Sequence, residues 1–144
     1  MTAFVLDASV TAAWLLPDAA SEHTRRLYAL IRRDQLEPQA PNLWQWECSN
    51  LISSGVHSGR IPSASVEGLW GVLEAIRHRV ELHELAPAQH KAVLDVALET
   101  GLPTFDAAYL WLARSLRLPL ATFDPHQIAA AQRSGVPLFD LSRL

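Results

Sequence analysis

The chain has 144 residues, 49% of them hydrophobic and 19% charged, with a formal net charge of −3. That supplies one domain with a real core and leaves out a disordered polar tail or a broad basic surface. A single cysteine, Cys48, excludes an internal disulfide. No apolar stretch reaches the roughly 20 residues of a membrane span, and no signal-peptide pattern opens the chain. A cytoplasmic protein with no membrane association is the expectation.

In chain order, residues 3–6 read as a short buried strand, and Ser9 to Leu16 as a helix stopped by Pro17. Ser21 to Arg33 is amphipathic, with Leu27, Leu30 and Ile31 on its inner face. Glu37 to Ala40 is a short extended piece. Pro41 is placed to start a helix that runs to about His57, before Gly59. Pro62 starts another, to about His78, with Val66, Leu69, Trp70, Leu73 and Ile76 at helical spacing. Val80 to Leu85 alternates like a strand. Pro87 to Thr100 is a helix closed by Gly101. Thr104 caps a helix to about Leu116, Pro119 to Phe123 is a strand, and Asp124-Pro125 opens a helix to about Ser134. Val136 to Leu141 reads as a last strand.

Short apolar strands alternating with helices predict a parallel sheet covered on both faces. Sites in such sheets lie beyond the carboxyl ends of the strands. Asp7 and Asp124 fall at two of those ends, Asp106 in the first turn of a helix, and Glu47 within a helix between Leu43 and Leu51. Each acid also has a purely structural reading. Asp124 before Pro125 is a normal helix N-cap, Asp7 is placed to cap the helix after its strand, Asp106 suits a helix dipole, and Glu47 has the option of facing solvent.

Together the four point to chemistry. Their neighbours are apolar or small, and burying a carboxylate costs several kcal/mol or more unless something compensates it. Gathered carboxylates repel one another, and a hard divalent cation such as Mg²⁺ or Mn²⁺ relieves that repulsion. Such an ion also activates water for attack on a phosphodiester. Ser9 and Thr122 sit beside two of the acids, as polar helpers or as ordinary backbone-bonding residues. Other chemistries lack their patterns. Six histidines form no HExxH, there is no second cysteine for zinc, and no P-loop, GxGxxG or GxSxG occurs. The cations are eleven Arg and one Lys, with pairs at Arg25-Arg26 and Arg32-Arg33.

Four segments carry a family resemblance: Phe4-Val5-Leu6-Asp7-Ala8-Ser9, Trp46-Glu47-Cys48-Ser49-Asn50-Leu51, Thr104-Phe105-Asp106-Ala107-Ala108-Tyr109-Leu110 and Leu120-Ala121-Thr122-Phe123-Asp124. In this order, and over nearly the whole chain, they resemble a PIN domain, and among those the VapC-type toxin of a VapBC toxin–antitoxin pair. The resemblance implies a single three-layer α/β/α domain over residues 1–144 with a short central parallel sheet. It implies Mg²⁺- or Mn²⁺-dependent cleavage of RNA, with Asp7, Glu47, Asp106 and Asp124 as the acidic site and Ser9 and Thr122 as helpers. It also implies a homodimer and a small antitoxin that blocks the site. Phe105 stands where the family often has tyrosine. Pro125-His126-Gln127-Ile128 follows Asp124 where the family often has a basic residue and a leucine.

On this reading Asp7, Glu47 and Asp106 hold a first metal, and Asp124 holds a second ion or positions the attacking water. Two other readings share the fold. One is a non-catalytic partner-binding module, with Trp14, Trp44 and Trp70 lining a groove for a helix; the plainer reading makes these tryptophans core residues, Trp70 above all. The other is an RNA-processing or DNA-cutting nuclease that is not a toxin.

Overall fold

Phe4, Val5 and Leu6 are all shielded from solvent, as a strand covered on both faces requires. They form β1 (Thr2–Leu6), at the start of a computed structural model that describes residues 2–144. The elements that follow are α1 (Ala8–Leu15), α2 (Glu22–Arg32), β2 (Leu36–Pro41), α3 (Trp44–His57), α4 (Val66–Arg77), β3 (Glu81–His83), α5 (Pro87–Thr100), α6 (Thr104–Leu116), β4 (Leu120–Ala121) and α7 (Pro125–Arg133). Short 3₁₀ turns occupy Ser63–Ser65 and Leu141–Arg143.

The four strands are parallel, in the order β3-β2-β1-β4. Each parallel connection needs a crossover, and helix pairs supply them. Helices α1 to α4 pack among themselves, α5 to α7 pack together, and α6 lies against β1, β2 and β4. The result is a three-layer α/β/α PIN-like fold. The chain leaves β1 toward β2 but returns to pair β4 on the other side, so the strand order reverses between β1 and β4. In open parallel sheets that reversal leaves a crevice beyond the carboxyl ends of the two strands. Asp7 follows β1 directly, and Thr122 follows β4 directly.

Local chemistry explains most boundaries. Ser21 caps α2 and Thr24 reciprocates, forming a capping box. Gly101 closes α5 with φ 80°, a conformation glycine adopts without a side-chain clash. The indole of Trp44 is fully buried and donates to Thr11 Oγ1 at 3.0 Å, pinning α3 to α1.

The sequence expectations fail at four places. Pro41 completes β2 instead of starting a helix, because Asn42 N still donates to His83 O and extends the ladder; α3 starts at Trp44. Pro62 opens a 3₁₀ turn, and α4 begins only at Val66. The strand expected over residues 136–141 shrinks to one bridge, Leu138 with Leu120, before the chain turns at Asp140. Trp70 is 46% exposed, not core, because Leu73 and Ile76 form the buried stripe of α4 and Trp70 stands at its edge. No helix among the described residues is long and apolar enough to cross a membrane.

Candidate metal centre at the sheet's carboxyl end

Asp7 is buried, yet its side chain does not cap α1. It is held by two hydroxyls on a single oxygen: Ser9 Oγ donates to Asp7 Oδ2 at 2.6 Å and Thr122 Oγ1 at 2.8 Å. Ser9 and Thr122 also meet at 3.2 Å, across the gap between β1 and β4. Phe123 N donates to Ser9 Oγ at 3.0 Å and Asp124 N to Thr122 Oγ1 at 3.1 Å, so both hydroxyls are aimed by backbone amides. The two polar helpers read from the sequence are thus the struts of the strand-order crevice.

Asp124 does cap its helix, accepting from His126 N at 2.9 Å. Its structural reading is therefore realised, while its charge still acts on Asp7 and Asp106. Asp106 occupies the first turn of α6, and among the described residues its carboxylate accepts no hydrogen bond. Glu47 lies half-buried on α3 and accepts from Tyr109 Oη at 2.6 Å. Tyr109 stands three residues after Asp106 on α6, on the same helical face, and is itself fully buried. The sequence motif contained Tyr109, but nothing in it assigned the phenol a partner; the i, i+3 spacing from Asp106 was the available signal.

The electrostatics follow from burial and crowding. Desolvation raises the Asp7 carboxyl against its hydroxyl partners, and Asp124 raises it further. Glu47 is pushed up to about 7, first by burial and then by the charges of Asp7 and Asp106, against the Tyr109 hydrogen bond. Asp106 is pushed up to about 6 by burial, Asp7 and Asp124, with His126 opposing. Burial also pushes the Tyr109 phenol and the Cys48 thiol up, which leaves Cys48 an inert, packed side chain. No lysine or arginine forms an ion pair with any of the four acids among the described residues.

The fold therefore brings all four acids to one rim, close enough for their charges to act on each other. It does not close them round a point: among the described residues no three Asp, Glu, His or Cys side chains stand as a ready-made ligand set. Three of the carboxylates accept hydrogen bonds from protein donors. The donor chemistry, all oxygen and without a cationic partner, fits a hard divalent ion. Two apolar hollows, one of them between α3 and α4, contain none of these acids.

No protein-family model matches the chain, and no curated protein sequence matches it. Solved structures do. PAE2754 from Pyrobaculum aerophilum is similar with a TM-score of 0.71 at 24% identity, over 99% of this chain and 92% of that one. FitAcB from Neisseria gonorrhoeae is similar with a TM-score of 0.57 at 17% identity, over 98% of this chain and 99% of that one. At these identities the likeness is one of fold, and it spans the whole PIN-like architecture on which the acidic rim is built.

Proposed function

We propose that the protein is a Mg²⁺- or Mn²⁺-dependent endoribonuclease that acts as the toxin of a type II toxin–antitoxin pair. The observation that supports this reading is the influence Asp7, Glu47, Asp106 and Asp124 exert on one another's ionisation near the β1–β4 crevice, with no lysine or arginine ion-paired to any of them among the described residues. Asp7, Glu47 and Asp106 would hold the first ion, with Asp124 serving a second ion or the attacking water. When bound, the metal supplies a water activated near neutral pH and positive charge beside the phosphoryl oxygens. In the hydrolysis, the water oxygen bonds to phosphorus, one P–O ester bond breaks, and the departing oxygen takes a proton. Ser9 and Thr122 fix the orientation of Asp7, and Tyr109 fixes that of Glu47. The toxin role comes from the motif resemblance.

The cleft between α3 and α4 supports a protein partner. Trp46, 75% exposed, and Trp70 line it with the buried Trp44 and Leu73, a surface suited to an amphipathic helix such as an antitoxin segment. A homodimer is part of the same proposal; Leu94 and Leu98, one turn apart on α5, are both exposed. If the protein is a binding module only, this cleft survives and the metal response does not.

The test is to incubate purified protein with total RNA, with Mg²⁺, Mn²⁺ or EDTA, beside Asp7→Asn. Cleavage that needs metal and Asp7 is the expected result. Cleavage in EDTA, or undiminished in the variant, rejects the mechanism.

A further inference from the structure

A second cleft opens directly from the acidic rim. It holds about 360 Å³ between the turn joining α5 to α6 and the facing side of α7, and Asp106 forms part of its wall. His126, Ala129 and Arg133 line it from α7. Their spacing of three and four residues puts them on one face of the helix, spanning about 10 Å along its axis. Ala129, in the middle, keeps the passage between the two larger side chains open.

Arg133 is set apart by its place in this cleft beside Asp106 and by its lack of an ion pair among the described residues. Arg60, Arg77, Arg79, Arg114 and Arg143 each lie within ion-pair distance of a carboxylate. Arg133 has no such partner among the described residues, and its one hydrogen bond is a long 3.4 Å contact from Nη2 to Thr100 O. Most of its five donors are therefore free for a ligand. An exposed guanidinium without an ion pair, at the wall of a cleft it shares with Asp106, matches a phosphate in geometry and charge.

We propose that this cleft is the subsite for the RNA phosphate next to the bond that is cut, with Arg133 as its fork and His126 as a second polar contact. The inference rests on the nuclease reading above and names the side chain that would hold its substrate's phosphate. One aimed arginine also accounts for phosphate recognition by a chain of net charge −3 that lacks a broad basic surface.

The test is fluorescence anisotropy with a labelled short single-stranded RNA, in Ca²⁺ in place of Mg²⁺, with gels to show the RNA intact. Arg133→Gln is expected to weaken binding by about tenfold or more and to lower the salt slope by about one. Arg133→Lys restores part of the loss, since it keeps the charge without the fork. Arg114→Ala, two turns beyond Asp106 on α6, binds as the parent does. Parental affinity in Arg133→Gln, an equal loss in Arg114→Ala, or no binding by the parent overturns the subsite. Binding that depends on Arg133 without any Mn²⁺-dependent cleavage leaves the subsite standing and removes the nuclease. Cleavage that ignores Arg133 does the reverse.

Discussion

Carboxylates on the outer surface and carboxylates at the sheet's carboxyl end receive opposite treatment from one fold. Asp18 and Glu74 each bond an arginine, Arg60 and Arg77, and those guanidinium groups hold both carboxyls below their ordinary range. Asp7, Glu47 and Asp106 face hydroxyls, a phenol and one another, and all three are pushed above it. Arginine is plentiful in the chain, yet among the described residues none is ion-paired with these acids, and Arg133 reaches only the neighbouring cleft. On the function proposed above, a soluble ion would balance the negative charge gathered there.

The contrast breaks most visibly if Asp7 or Asp106 is neutralised. Either Asp→Asn change is expected to lower metal-dependent RNA cleavage by at least about 10²-fold while the circular dichroism melt stays cooperative, because a ligand should matter at least as much as its outer partner does. A variant that cuts at the parental rate removes that residue from the mechanism. Next in size are the struts. Thr122→Val and Tyr109→Phe each remove a hydrogen bond that aims a carboxylate, and Mn²⁺ affinity should fall by about 10- to 100-fold in calorimetric titrations. Unchanged affinity would show that Asp7 and Glu47 find their positions without these partners.

The pH response sharpens the comparison. In the fold Glu47 ionises near about 7 and Asp106 near about 6, above their ordinary values of 4.5 and 3.8. The native state therefore favours their protonated forms. The stability they contribute is fully present below about pH 4 and is lost as pH rises through 6 and 7. Metal-free protein should melt at lower temperature near pH 7.5 than near pH 5. Mn²⁺ should raise the melting temperature more at the higher pH, where the ligands are deprotonated. A metal-free melt that stays flat over this range would place the acids in water. The smallest effect is expected on the outer surface, where Asp18→Asn should leave both metal affinity and melting temperature within experimental scatter.

The order of helices and strands was readable from periodicity, glycine and proline, because each local signal agrees with the fold. The misreadings share a cause. Pro41, Trp70 and residues 136–141 carry local patterns that tertiary pairing overrides: a ladder bond at Asn42, a buried stripe that stops short of Trp70, and a sheet edge that engages only Leu138. At the rim, carboxylates beside apolar runs were legible because an acid there is costly. The Tyr109–Glu47 bond joins residues 62 apart, and the Arg133 cleft joins α6 to a face of α7, so neither leaves a mark on local sequence. Gln127, fully buried with no protein partner for either amide atom among the described residues, is likewise invisible to periodicity.

Calorimetric titration of Mn²⁺ into metal-free protein near pH 7.5, with Asp7→Asn beside it, tests the central claim most directly. Saturable binding by the parent, weakened at least about tenfold in the variant, is the predicted result. No binding by the parent, or equal binding by the two proteins, would contradict it.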